Sequence, residues 1–287
     1  LIAEPQGITP TAKRKQSAIT YFENNATTKG GEQMTEHLKA YLPNKSIQIQ
    51  NINKELIQGF SDYLSKELNG NTANAYFSKF RSSIKRAIAE KILPSDILLD
   101  ISAPEKQETV VSFLTTDEIA LIAKSDLNPK VKKVFLFSCF TGLRYSDIKN
   151  LTWGNITEDF KLQFSQQKTQ TKNGKQTSVT LIPMNPQAIA LLGERQENDL
   201  KVFEVPLQQT CDKSLKSIAK KLNIKKTLHF HIARHSFGVI LLENNVDIYK
   251  VSKLLGHKSV QTTIKHYANI TDKGAREAID CFPEIKI

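Results

Sequence analysis

The chain has 287 residues, of which 39% are hydrophobic and 24% charged, as in soluble globular proteins large enough for two domains. Its 40 Lys and Arg residues against 29 Asp and Glu give a net charge of +11, which favours a polyanionic partner: nucleic acid first, an anionic membrane surface second. The sequence has no apolar run of about 18 residues and no signal-peptide pattern, and its three widely spaced cysteines fit neither a disulfide framework nor a zinc ribbon. Composition therefore argues against a membrane-spanning or disulfide-stapled protein and predicts a location in the reducing cytoplasm.

The first third of the chain is predicted to be helical, because its apolar residues recur at helical spacing and show no strand-like alternation. One amphipathic helix is expected over residues 54–68. A second is expected after the capping pair Asn71-Thr72. The residues that would face the core are Leu56, Ile57, Phe60, Tyr63 and Leu64 in the first helix and Tyr76, Phe77, Phe80, Ile84, Ala87 and Ile88 in the second.

The second helix also carries a basic flank between its apolar positions. Such a flank suits a DNA backbone, and phosphate contacts by Lys and Arg make affinity fall steeply with salt. A solvated surface explains the same charges equally well. The candidate DNA-binding residues are Lys79, Arg81, Lys85 and Arg86.

The sequence around Pro104 is predicted to link two domains. Residues 101–112 (ISAPEKQETVVS) lack helical periodicity, which is typical of a linker. The expected domains are residues 1–104, a helical domain, and residues 105–287, which carry the chemistry-bearing motifs.

The second domain is predicted to combine helices with a small sheet. A capping pattern begins a helix at Thr115, and an apolar helix is expected over residues 131–140. A β-hairpin is expected from residues 161–167 and 177–182 around the turn Asn173-Gly174, with helices again from residue 185. The predicted fold class is therefore mainly α: a helical first domain and an α+β second domain, mostly helical with a small antiparallel sheet.

The stretch HFHIARHSFG (residues 229–238) concentrates three histidines and an arginine, and three interpretations compete. As a metal site, His231 and His235 share a helix face, but a zinc hydrolase of the HExxH type needs a glutamate between them, and Arg234 would repel a dication. As a structural feature, the histidines pack at a helix start. As an anion site, the guanidinium binds phosphate. The neighbouring motifs favour the third interpretation.

Four motifs occur in a fixed order. TGLRYSDI (141–148) places Arg144 just beyond a helix end, SQQKT (165–169) contains Lys168, HIARHSF contains Arg234, and LLGHKSVQTTIKHY (254–267) ends in Tyr267. Together they resemble the signature of the tyrosine recombinase or phage integrase family: its first arginine box, its lysine-bearing strand, its His-x-x-Arg box and its Leu-Gly-His box leading to the nucleophilic tyrosine. The resemblance covers residues 141–270, and residues 1–104 resemble the family's core-binding, SAM-like domain in pattern.

The chemistry of phosphodiester cleavage explains three of these residues. Direct attack needs a nucleophile, neutralisation of charge on the phosphate oxygens, and a proton for the leaving 5′ oxygen. Arg144 and Arg234 suit neutralisation, because a guanidinium stays charged and offers two parallel donors; each aligned donor contributes on the order of 3 kcal/mol of transition-state stabilisation. Tyr267 suits the nucleophile, and its phenol, with a pKa of about 10 in water, must lose its proton as it attacks.

The resemblance implies the remaining catalytic roles. His231 would accept the tyrosine proton, His257 would contact the phosphate, and Lys168 would protonate the leaving oxygen, although Lys172 and Lys175 lie in the same hairpin and are alternatives for that role. The product would be a 3′-phosphotyrosine with a free 5′ hydroxyl. Rejoining would then need neither metal nor ATP, and no cofactor is expected.

Two further residues are expected to support the site. Asp147 would orient Arg144 by a salt bridge, and His235 would pack or hydrogen-bond structurally. One spacing departs from the family: His257 and Tyr267 are ten positions apart, one more than is common, which on a helix would rotate the tyrosine by about 100 degrees. A loop or loose turn over residues 258–261 would absorb the extra residue.

The resemblance also implies partners and an assembly. The partner is double-stranded DNA with specific recombination sites, bound by a homotetramer that passes through a Holliday junction; accessory DNA-bending proteins are further candidates, and no membrane is involved. Integration, excision and chromosome resolution all fit, and an upstream arm-binding domain is left open because the chain begins with Leu1. The alternatives are a metal-independent topoisomerase, a non-catalytic DNA-binding protein and a zinc hydrolase.

Overall fold

The computed structural model describes residues 14–42, 47–107, 111–164, 180–257 and 259–271. The chain divides into two compact units, Leu1–Thr109 and Val110–Ile287. The described part of the chain is mainly helical, with one two-stranded antiparallel sheet in the second unit. The predicted fold class is therefore confirmed. None of the described helices is long and apolar enough to cross a membrane.

The first unit is a helical bundle around an aromatic core. The ring of Phe22 stacks on that of Phe80 with centroids 4.9 Å apart, and Phe60 contacts Phe80 at 4.8 Å. Large buried aromatic surfaces of this kind supply most of the hydrophobic stabilisation of a small helical unit. Its helices are α1 (Ala18–Asn25), α2 (Lys29–Tyr41), a 3₁₀ turn (Ile49–Asn51), α3 (Lys54–Glu67) and α4 (Gly70–Ala89).

Both predicted helices of this unit are present, with one error at a cap. In α3, Ile57, Phe60 and Leu64 are buried as expected. The α4 helix is capped by Asn69, whose side chain accepts a hydrogen bond from the Thr72 backbone N–H at 3.0 Å. The predicted cap at Asn71-Thr72 is therefore wrong, because Asn69 is an equally good capping residue two positions earlier and leaves Asn71 inside the helix.

The segment after α4 is fixed to the first unit. The hydroxyl of Ser61 donates to the Ser102 carbonyl at 2.7 Å, and the side-chain amide of Asn74 donates to the Pro104 carbonyl at 2.6 Å. Backbone carbonyls of an irregular segment are thus satisfied by helix side chains. This part of the predicted linker is an ordered edge of the bundle.

In the second unit, helices α6 and α10 pack against each other at the centre of the helix packing. Thr115 and Glu118 form the expected capping box at the start of α5, with hydrogen bonds of 2.8 and 3.2 Å. The described elements are α5 (Thr116–Lys124), α6 (Pro129–Thr141), α7 (Tyr145–Asn150), a 3₁₀ turn (Trp153–Asn155), β1 (Lys161–Phe164), β2 (Thr180–Pro183), α8 (Pro186–Ala190), α9 (Gln208–Lys221), α10 (Ile232–Glu243), α11 (Ile248–Leu255) and α12 (Val260–Thr271).

The strands β1 and β2 pair in antiparallel register, with Leu162 opposite Ile182 and both side chains buried. The two predicted strand regions therefore pair with each other where the structure describes them. The predicted turn at Asn173-Gly174 lies outside the described residues, as do Lys168, Lys172 and Lys175.

Candidate active site

The first arginine follows a helix that ends at a left-handed glycine. Gly142, with φ of 69°, terminates α6, and a Cβ there would lie 2.6 Å from the Phe237 ring. Glycine is required on both counts. Arg144 comes two residues later, at the start of α7, where Asp147 accepts from its backbone N–H at 3.3 Å and lies 3.7 Å from its guanidinium. Backbone and side chain of Arg144 are thus oriented by one carboxylate.

The second arginine, Arg234, is buried in the first turn of α10, with 3% of its surface exposed. Its guanidinium donates to the carbonyl of Gly142 at 2.7 Å and to the carbonyl of Leu255. These carbonyls belong to the ends of α6 and α11, so one side chain joins two turns that are distant in sequence. Burial, with the nearby positive charge of Arg144, lowers the Arg234 pKa to about 10. The group is still a cation at neutral pH.

Tyr267 of α12 packs against α10. Its side chain is 1% exposed and belongs to a small apolar cluster with Val239, Val251 and Leu255. Burial raises its pKa to about 12, while the positive charge of Arg234 acts in the opposite direction. Burial is the larger influence, so the neutral form of the phenol is favoured.

A glycine of α10 makes room for this phenol. A Cβ on Gly238 would lie 2.7 Å from the Tyr267 hydroxyl oxygen and 2.9 Å from Cζ, closer than any stable contact. The position needs glycine for space, since it lies inside a regular helix. Gly238 is the last residue of the HFHIARHSFG stretch, and nothing in the sequence pattern marks it as part of the site.

The two histidines of this stretch lie side by side at the start of α10. The His231 and His235 rings are perpendicular, with centroids 4.6 Å apart. His231 is exposed and His235 half-buried. The Nδ1 atom of His235 lies 3.3 Å from the Tyr267 hydroxyl. The histidine that was expected to be structural thus contacts the tyrosine hydroxyl.

His257 follows α11 after a second left-handed glycine, Gly256, with φ of 60°. Its Nδ1 is hydrogen-bonded to the Thr263 hydroxyl at 2.8 Å. Thr263 is fully buried and lies one helical turn before Tyr267 on the same face of α12. The extra residue between His257 and Tyr267 thus leaves the tyrosine facing α10. Thr263 is a second residue that sequence analysis missed, because its partner lies across a turn.

The predicted basic flank belongs to the first unit. The ammonium of Lys79 donates to the Thr28 hydroxyl at 3.1 Å, and the guanidinium of Arg86 donates to the Asn25 side chain. Together with Thr27, Ser82 and Ser83, these residues line an open cavity of about 280 Å³. Lys85 is exposed and Arg81 half-buried on α4. Among the described residues, no group of three or more His, Cys, Asp or Glu side chains is placed to share a metal ion.

Comparison with known proteins identifies the family. The Phage integrase family model matches residues 106–273, and the Phage integrase SAM-like domain model matches residues 11–102. The chain therefore belongs to the phage integrase family, the tyrosine-type site-specific DNA recombinases. The resemblance inferred from the four motifs is confirmed.

Curated relatives span most of the chain. A tyrosine recombinase of Thermosipho africanus is 26% identical over 250 residues, covering 81% of this chain and 85% of the relative. The tyrosine recombinase XerD of Halalkalibacterium halodurans is 26% identical over 277 residues, covering 89% of this chain and 90% of the relative. XerD of Staphylococcus aureus is 27% identical over 274 residues, covering 87% and 86%.

Solved structures share the fold. A lambda integrase dimer bound to a COC′ core site has a TM-score of 0.69 at 16% identity and covers 98% of this chain and 85% of that one. The Tn1549 transposon integrase in complex with a circular intermediate DNA has a TM-score of 0.68 at 16% identity, covering 92% and 98%. At these identities the likeness establishes the architecture of the chain.

Proposed function

We propose that this chain cleaves and rejoins DNA at specific sites through a covalent 3′-phosphotyrosine on Tyr267. The observation that carries the proposal is the convergence on α10: Arg234, His235 and the Tyr267 phenol meet there, although the tyrosine is more than 30 residues away in sequence. A buried cation beside a phenol and a histidine suits attack on a phosphodiester.

The two arginines would neutralise the charge that develops on the phosphate oxygens. Arg144 is 24% exposed in its side chain and is aligned by Asp147, so its guanidinium is accessible to a phosphate. Arg234 lies deeper and braces the two turns that carry Arg144 and His257. Together they would supply a rigid cationic cradle, which costs no reorganisation during the reaction.

The proton transfers follow from the same chemistry. As the Tyr267 oxygen bonds to phosphorus, the bond from phosphorus to the 5′ oxygen breaks; the phenol gives up one proton and the leaving oxygen takes one. His231 is the family's candidate acceptor and Lys168 its candidate donor. His257 would contact the phosphate from the turn after α11. Since the phosphodiester energy is kept in the phosphotyrosine bond, the reverse attack needs neither metal nor ATP.

The partner would be double-stranded DNA with specific recombination sites, bound by both units of the chain. The first unit would serve as a core-binding domain, and its cavity lined by Lys79 and Arg86 is the part best suited to a backbone phosphate. Lys85 and Arg81 would add basic contacts along α4. The chain would assemble as a homotetramer on two DNA sites, together with accessory DNA-bending proteins. The reaction would take place in the cytoplasm, where the DNA is.

The experiment that tests the proposal uses nicked duplexes from the DNA flanking the gene. The wild-type chain and Tyr267→Phe are compared for SDS-resistant protein–DNA adducts without added metal, with binding measured on the same duplexes. Adduct formation that is lost in the variant, at unchanged affinity, supports covalent tyrosine chemistry. Adduct formation that persists in Tyr267→Phe overturns it.

A second candidate function is site-specific DNA binding without cleavage. The burial of the Tyr267 side chain favours it, because a phenol with 1% of its surface exposed is withdrawn from a DNA ligand. Specific binding without any adduct, on duplexes with and without a nick, would support this function. Analysis of the products separates recombination from topoisomerase-like relaxation: joining of two different duplexes requires a recombinase.

A further inference from the structure

The nucleophile's hydroxyl has a defined hydrogen-bonding neighbour. The Nδ1 of His235 lies 3.3 Å from the Tyr267 oxygen, with the two rings inclined at 73°. Gly238, three residues further along α10, leaves the space that the phenol occupies. Residues three apart lie on the same face of a helix, so His235 and Gly238 together form a seat for the phenol.

The chemistry of this contact has a preferred direction. A neutral phenol donates its O–H, and a neutral imidazole accepts it on the nitrogen that carries no proton. Burial of Tyr267 keeps bulk water away from the hydroxyl, so a proton leaving the oxygen needs an acceptor within the seat. The Nδ1 of His235, 3.3 Å away, is a side-chain nitrogen within hydrogen-bonding distance of it.

His235 also connects the buried phenol with solvent. The exposed His231 ring stands edge-on against the His235 ring at 4.6 Å. A proton accepted by His235 therefore has a second imidazole beside it at the protein surface. Arg234 directly precedes His235 on α10, and the Arg234 guanidinium interacts electrostatically with Arg144, Asp147 and Tyr267.

We propose that His235, and not His231, directly accepts the proton of Tyr267 during cleavage, with Gly238 holding the phenol in place. This rests on the proposed function, since it requires Tyr267 to be the nucleophile. The O–H bond of Tyr267 breaks, the proton moves to Nδ1 of His235, and the oxygen's electron pair forms the bond to phosphorus. The bond from phosphorus to the 5′ oxygen breaks in the same step, and that oxygen takes a proton from the general acid. In rejoining, the imidazolium returns the proton to the phenolate. His231 then serves as the outlet to solvent.

The test measures the rate of adduct formation on nicked duplexes for His235→Ala and His235→Asn. Asparagine places an amide close to the position of Nδ1, so it keeps a hydrogen bond to the phenol but accepts no proton. His229→Ala is the matched control, because His229 lies in the same stretch and its described contact is a backbone hydrogen bond to Ile232. We expect both His235 variants to lose roughly 100-fold in rate, with DNA affinity and melting temperature close to wild type for His235→Asn.

Two further measurements assign the lost step. Added imidazole should restore part of the rate in His235→Ala. A second substrate carries sulfur in place of the 5′ leaving oxygen. Its thiolate, whose conjugate acid has a pKa of about 8.5, leaves without taking a proton, whereas Tyr267 must still lose one. The His235 variants should therefore remain slow on this substrate. Rescue by the sulfur substrate would instead place His235 in leaving-group protonation and overturn the proposal.

The outcomes separate this proposal from the proposed function. Wild-type rates in His235→Asn, with adducts abolished in Tyr267→Phe, overturn the role of His235 and leave tyrosine catalysis intact. Adducts in Tyr267→Phe overturn both. A 100-fold loss in His231→Ala together with wild-type rates in His235→Ala would assign the proton to His231.

Discussion

Replacing Gly238 by alanine tests the seat of the nucleophile directly. The added methyl group would lie 2.7 Å from the Tyr267 oxygen, 2.9 Å from Cζ and 3.2 Å from Cε2. Three contacts of this kind on a rigid ring leave no small adjustment that relieves them. The phenol must therefore leave its place against α10 and lose its contact with His235.

The magnitude follows from two opposing contributions. Displacing an aromatic side chain that is 1% exposed forfeits about 2–3 kcal/mol of burial, and alanine returns about 1 kcal/mol because it favours the helix over glycine. We expect a net loss of about 1–2 kcal/mol in the free energy of unfolding. The pKa of Tyr267 should fall from about 12 towards 10 as the phenol gains solvent.

Ultraviolet titration of phenolate absorption provides the assay. The chain has 7 tyrosines, so the Tyr267 signal is taken as the difference between each protein and its Tyr267→Phe counterpart. Gly59→Ala is the matched control: its Cβ would lie 2.2 Å from the Tyr41 hydroxyl, and both residues belong to the first unit. It displaces a phenol by the same means without touching the Tyr267 seat.

Cleavage rates decide what the seat does. If the seated phenol is the reactive one, Gly238→Ala lowers the rate of adduct formation about as much as His235→Ala. An unchanged pKa of Tyr267 in Gly238→Ala would refute the account of the seat. A faster cleavage with a lowered pKa would show that the seat is a resting position from which the nucleophile has to be released.

Three other expectations concern the arginines, alkaline stability and DNA affinity. Arg144→Lys should slow adduct formation roughly 100-fold at unchanged DNA affinity in a binding assay, because an ammonium offers no planar pair of donors. Burial raises the pKa of Tyr267 to about 12, so the folded state holds the phenol proton more tightly than the unfolded chain. The resulting stabilisation is complete below pH 10 and is lost as pH rises towards 12, which lowers the free energy of unfolding by up to roughly 2–3 kcal/mol. Denaturant titrations should show this loss in the wild-type chain and not in Tyr267→Phe. Lys79→Ala should reduce the slope of log affinity against log salt by about 1, whereas Lys39→Ala, whose charge is paired with Glu23 and Glu36, should change it less.

The sequence predicted well wherever a local pattern determines the structure. Helical spacing placed α3 and its buried residues, and the Thr115 capping box begins α5 as expected. The error at the start of α4 arose because Asn69 and Asn71 have the same capping chemistry, and the choice between them depends on how α4 packs. The four motifs identified the family because they combine residue type with order along the chain.

The seat of Tyr267 could not be predicted in this way. Gly238 resembles any small residue in a helix until α12 lies across it, and His235 and Tyr267 are brought together by the packing of α12 on α10. The extra residue before Tyr267 predicted either a rotated tyrosine or a loop over residues 258–261. The α12 helix begins at Val260, and both Thr263 and Tyr267 are buried, with the Tyr267 phenol against Gly238 of α10. Spacing along the chain defines a helix face, and packing decides where that face points.

The two arginines are not equivalent probes of phosphate chemistry. Arg234 is buried and donates to the carbonyls of Gly142 and Leu255, so any substitution leaves two backbone acceptors without their partner. A loss of cleavage in an Arg234 variant therefore combines a missing cation with displaced turns, and those turns carry Arg144 and His257. Arg144 contacts Asp147 within its own turn, and its side chain is 24% exposed. Substitution of Arg144 thus measures the contribution of the guanidinium to the reaction more directly. The difference in cleavage rate between the two variants measures how much the hydrogen bonds of Arg234 to the two turns contribute.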